Sequence, residues 1–250
     1  MLRLLCCCCV SSDNLSERQP LLQPGSPSEV NEAKSARQAP SADNDAQTVK
    51  RIGKLLVRRL NVPELDLRFT EMAETFNEQQ KNYEAMVGHI RKLTQICDST
   101  NVDNLAFAEC IRKIRKEQQT TYRVYLKMKG YDFSLTLDPV GPEGETEDEP
   151  LPLSLQSAQN EVRGISDSAK ATISKGTTLL RLIDWLLQSH IQMAEQVKGA
   201  AETYQEQGRL NNNLEENMKE VRRAKELSQS YRQWVEEVYS EAAQIAGIDM

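Results

Sequence analysis

The chain has 250 residues, 27% of them charged, and a formal net charge of −6. That acidic balance, with no recognised nucleic-acid module, argues against a nucleic-acid partner. Aromatic residues are only 5% and β-branched runs are scarce, so helices rather than sheets are expected to supply the fold.

The chain opens with Met1-Leu-Arg-Leu-Leu-Cys-Cys-Cys-Cys-Val10, in which Arg3 is the only charged side chain. Zinc sites space their cysteines by turns so that the sulfurs converge, and Cys6, Cys7, Cys8 and Cys9 have no such spacing and no second pair. Adjacent cysteines are rarely at bridging distance. The apolar run is too short for a membrane span, and it lacks the small-residue cleavage site of a signal peptide. Leu2 stands where N-myristoylation needs glycine. Thiols flanked by apolar side chains are candidate S-acylation sites, so residues 1–10 read as a membrane-anchor segment on the cytosolic leaflet.

Residues 11–45 are rich in Ser, Pro, Gln, Asn, Asp and Glu, and bury too little apolar surface to offset the entropy of ordering. They are expected to be a disordered tail. Within them Glu17-Arg-Gln-Pro-Leu21-Leu22 resembles the acidic dileucine sorting signal, which clathrin adaptor complexes recognise on endosomal and lysosomal cargo. The resemblance gives Glu17, Leu21 and Leu22 the role of that signal. Ser26-Pro27 is a candidate proline-directed phosphosite close to it.

Residues 46–62 are expected to form a basic amphipathic helix. Val49, Ile52, Leu56 and Leu60 follow helical spacing, and Lys50, Arg51, Lys54, Arg58 and Arg59 form a candidate membrane-surface face. Val62 before Pro63 ends it. Residues 64–129 are expected to form a helical hairpin. In its first helix, Phe69, Phe76, Tyr83, Ile90 and Cys97 fall seven apart, and Met72, Gln79, Met86 and Leu93 fill the second seam. Gln79 is a polar layer of the kind that fixes register. Asp98-Ser-Thr-Asn101 breaks the pattern, and a second helix over 103–129 is expected to bury Phe107, Ile111, Ile114, Tyr122, Tyr125 and Met128.

Residues 130–153, with four prolines and an acidic run from Glu143 to Glu149, are expected to be an extended linker. Residues 154–250 are expected to form a second helical hairpin. One helix runs from Leu155 to Tyr204, with seams through Val162, Ala169, Gly176 and Ile183 and through Ala158, Ile165, Thr172 and Leu179. After an interruption at Gly208–Asn213, the other runs from Leu214 to Ala246, and Gly247 is its stop. The expected fold class is all-α, as a four-helix bundle or a coiled-coil assembly behind a disordered tail.

No phosphate loop, metalloprotease helix or nucleophile elbow is present. The two histidines, His89 and His190, sit beside or on seams, so no catalytic, cofactor or metal residues are assigned. The expected function is a non-enzymatic, lipid-anchored adaptor, or a subunit of a helical complex, at late endosomes or lysosomes. Its expected partners are coiled-coil proteins and, through the dileucine, clathrin adaptors. Over residues 1–25 the layout resembles the membrane-anchoring subunit of the Ragulator complex, which begins with a myristoylated glycine where this chain has Leu2. The alternatives are a membrane-shaping module of BAR type, which needs a wider basic face, and a purely structural coiled coil. A SNARE-like reading, suggested by Gln79 and Gln118, lacks the run of layers around one central glutamine.

Overall fold

The computed structural model describes residues 53–97, 107–140 and 151–248. The anchor and tail, with Cys6 to Cys9, Glu17, Leu21, Leu22, Ser26, Lys50 and Arg51, lie outside the described residues. The fold is all-α in its long elements: helices take up 77% of the described residues. They are α1 (Pro63–Ile96), α2 (Phe107–Gln118), α3 (Leu153–Gln188), α4 (His190–Ala200) and α5 (Tyr204–Ala246). A two-stranded hairpin, β1 (Tyr122–Lys129) and β2 (Asp132–Pro139), is inserted between α2 and α3. Among the described residues no helix is long and apolar enough to cross a membrane.

The heptad seams are spent inside the chain. In α1 every expected seam residue is buried, from Phe69 to Leu93, together with Cys97 just beyond its end. Its main partner is α3, not α2 as the expected hairpin required. Arg68 lies over the Trp185 ring, Gln79 reaches Thr172 and His89 reaches Glu161, so the two helices run antiparallel. The reason is length and bulk. A 34-residue seam cannot be covered by the 12 residues of α2, whereas α3 has 36 and brings small residues to the contact. Gly176 is one of these: a Cβ there would sit 2.5 Å from the Gln79 amide nitrogen. The α5 helix packs antiparallel to α3, with Lys225 beside Asp184 and Arg232 beside Gly176, and closes a bundle of three long helices.

The expected second helix, 103–129, ends at Gln118 because the apolar period changes from 3.6 to 2. In Tyr122–Lys129 and Asp132–Pro139 apolar and polar residues alternate, as on a half-buried hairpin. Gly130, at φ 61°, takes the first central position of a two-residue turn, where glycine suits the twist of the strands. Val124, Leu126, Phe133 and Leu135 face the core, while Tyr125, Lys127 and Asp138 stay on the outer face. Side chains of α3 satisfy the outward backbone groups of β2. The Phe133 N–H donates to Ser166 Oγ at 2.9 Å, and Gln159 donates to the Leu135 carbonyl at 3.2 Å. A third of the expected linker, 130–153, is therefore strand β2, and its residues 141–150 lie outside the described residues.

Two further boundaries differ from expectation. The long helix through Tyr204 breaks at Ser189 and again at Ala201, whose ψ of 129° is extended. Helix α5 then starts early, because Thr203 caps it by accepting from the Glu206 N–H, and Glu206 in turn accepts from the Glu202 N–H. Gly208 to Asn213 are helical, and Gly247 ends α5 at φ 73°. At the other end, Glu241 of α5 accepts from the Ala108 N–H at 3.1 Å and caps α2. Burial pushes the Glu241 carboxyl up, and the bond from Ala108 opposes that shift.

Candidate functional site: a clamped basic strap

The basic segment expected as a helix is instead an extended strap over the described residues 53–62. It has no backbone ladder of its own. Side-chain amides of the bundle supply one. Asn77 of α1 accepts from the Leu55 N–H at 2.9 Å and donates to the Leu55 carbonyl at 3.3 Å. Asn217 of α5 does the same to Arg58, at 2.7 and 2.8 Å, and Asn213 donates to the Arg59 carbonyl at 2.8 Å. Asp66 then accepts from the Leu60 N–H at 2.6 Å, and Asn61, at φ 59°, turns the chain into α1. The strap runs antiparallel to α1, in the space that a fourth helix would fill.

Leu55 and Leu60 are buried and Val57 is half-buried, whereas Lys54, Arg58 and Arg59 are exposed and Leu56 is 79% exposed. The helix expectation fails here because Leu55 and Leu60 lie five apart with Val57 between, a spacing that a groove can seat in extended form. The three asparagines were not singled out from the sequence. Asn211-Asn-Asn213 read as an interruption between helices and Asn217 as polar helix surface, and no local pattern announces that Asn213 and Asn217 address a segment more than 150 residues away.

The basic side chains do not form one positive field. Arg59 Nε lies 3.9 Å from Asp66, and Asn61 donates to Glu206 at 3.0 Å. The Lys219 ammonium holds the Glu216 carboxyl below its usual range, with a smaller pull from Arg58. Arg58 and Arg59 thus sit beside carboxylates and Lys54 is exposed, while Lys50 and Arg51 lie outside the described residues.

No protein-family model, curated protein or solved structure matches the chain.

The other polar features have structural partners. His89 Nδ1 lies 2.6 Å from Glu161 Oε2, and its ring rests over Gly164, where a Cβ would come within 2.5 Å. His190 reaches Glu215 at 3.2 Å. Cys97 and Cys110 are both buried; the Cys97 thiol donates to the Cys110 carbonyl at 3.8 Å and the Cys110 thiol to Thr94 Oγ1 at 3.7 Å, and the proximity of the two thiols lowers Cys110 and raises Cys97. Among the described residues no three His, Cys, Asp or Glu side chains are grouped to hold a metal ion. An open groove of about 950 Å³ by the hairpin tip mixes Lys127, Arg163, Asp132 and Asp167, so its walls select no single ligand charge.

Gln79 is the polar layer its seam position implied. It is fully buried, its amide nitrogen donates to the Thr172 carbonyl at 3.3 Å, and its Oε1 has no hydrogen-bond partner. An unpaired buried acceptor costs about 1–3 kcal/mol, more than one long hydrogen bond returns. Gln79→Met keeps the length of the side chain and removes the orphan oxygen. It is expected to raise the unfolding free energy in urea by about 1 kcal/mol; a loss of that size would show that the bond to Thr172 outweighs the orphan.

Proposed function

We propose that the chain is a non-enzymatic adaptor tethered by S-acylated Cys6–Cys9 to the cytosolic face of late endosomes or lysosomes, with its helical body as the partner-binding part. The observation that carries this reading is the run of four thiols between Leu4, Leu5 and Val10, which meets the need of stable anchoring for more than one lipid chain. Glu17, Leu21 and Leu22 supply the address by engaging clathrin adaptors.

The body supports the reading in two ways. Its seams are consumed by its own helices, so partners meet its outer surface rather than an open coiled-coil stripe. That surface carries exposed apolar side chains at the strap end of the bundle: Leu67, Ile191 and Tyr204, with Trp185 under the Arg68 guanidinium. A helical partner would bury these.

The test is localisation of the full chain in cells. With Leu21 and Leu22 replaced by alanine it is expected to remain membrane-bound but leave endolysosomes. An unaltered endolysosomal location would remove the dileucine from the proposal.

A further inference from the structure

We infer that the cleft between α1 and α5 is a peptide-binding site for extended basic segments, and that the strap is its resident ligand, held there in cis. The cleft reads a main chain. Asn77 and Asn217 each engage both the N–H and the carbonyl of a single strap residue, as a neighbouring strand would. Peptide grooves that take exchangeable ligands use this arrangement, with backbone bonds for attachment and alternate side-chain pockets for selection. A fourth helix would have bonded its own backbone and left those amides without work.

The pockets define the partner. They take leucine at the positions of Leu55 and Leu60 and valine at Val57, while the side chains of Lys54, Leu56, Arg58 and Arg59 point to solvent. The rim is acidic: Asp66 faces Arg59, and Glu216 lies within the field of Arg58. The fitting partner is therefore an extended segment of the form Leu-x-Val-x-x-Leu with basic residues before the last leucine. Leu55 to Leu60 give up their place without any helix unwinding, because the backbone bonds of Leu55, Arg58, Arg59 and Leu60 go to side chains, and only Val62 beyond them holds a helical bond, to the Asp66 N–H. The tether keeps the strap at an effective concentration on the order of mM, so a free peptide of Kd about 100 μM is held off about tenfold.

The experiment uses the full chain and a fluorescein-labelled peptide of residues 52–62. Leu55→Asp with Leu60→Asp expels the strap without touching the cleft. Fluorescence anisotropy is expected to show saturable binding to this variant, about tenfold weaker binding to the wild type, and loss of binding when Asn217→Leu is added. Absence of binding to the expelled-strap variant, with its helical circular dichroism intact, overturns the inference. If that variant does not fold, amide hydrogen exchange of the wild type decides. Leu55, Arg58 and Leu60 amides exchanging by local opening, well ahead of the α1 and α5 cores, support a releasable strap. Exchange of those amides only with global unfolding overturns it.

Discussion

Replacement of Cys6, Cys7, Cys8 and Cys9 by serine is expected to move the chain from the membrane fraction to the soluble fraction. Serine cannot form the thioester, and each buried CH2 of an acyl chain contributes about 0.8 kcal/mol, so losing two or more chains removes most of the attachment. What is left is weak. Leu2, Leu4, Leu5 and Val10 are four apolar side chains, far fewer than the roughly twenty a membrane span needs. The strap adds little, because a basic residue near an anionic surface contributes about 1 kcal/mol and Arg58 and Arg59 are already opposed by Glu216 and Asp66. The response should be graded: one restored cysteine gives reversible binding, and two give stable retention. Flotation of the variants on a density gradient measures it. Wild-type flotation of the four-serine variant would sink the anchor, and with it the proposed tether.

The sequence was legible where a single periodicity ran for many residues. The α1 seam from Phe69 to Leu93 was readable because each seven-residue step lands on the same buried line. Its partner was not readable, since the choice between α2 and α3 turns on the length of α2, and that length depends on where helix gives way to strand. The alternation in Tyr122–Lys129 and the Gly130 turn carry that signal, but Ile111, Ile114, Tyr122, Tyr125 and Met128 also fit a continued helix closely enough to hide it. Thr203 to Glu206 is a local capping pattern that marks the start of α5, and it lay inside a stretch whose heptads ran on to Tyr204. The strap was legible least of all. Its residues have helical spacing and basic charge, and only the amides of Asn77 and Asn217, set by the tertiary fold, make the extended form the better one.

Phe76→Ala is expected to destabilise the body by about 3–5 kcal/mol, lowering its thermal midpoint by about 10 °C at the few degrees per kcal/mol typical of domains this size. Phe76 is fully buried at the middle of α1, where the three long helices meet. Its ring lies 6.2 Å from that of Tyr231 on α5, and Tyr231 stacks in turn on Tyr83 at 4.4 Å. Burial, reinforced by Tyr83, pushes the Tyr231 phenol up to about 12, as a dry cluster requires. Alanine would leave a void that the helices cannot close, because α1 is held in place on both sides of it: by Arg68 over Trp185 before it, and by Asn77 against the strap and Gln79 against Gly176 after it. The loss should therefore be global, with helical signal and near-ultraviolet tyrosine signal falling in one transition. Phe76→Leu, which refills most of the space, should recover more than half of the stability. A destabilisation of Phe76→Ala below about 1 kcal/mol, the range of a surface substitution, would mean that α1 and α5 do not share the core described by this packing.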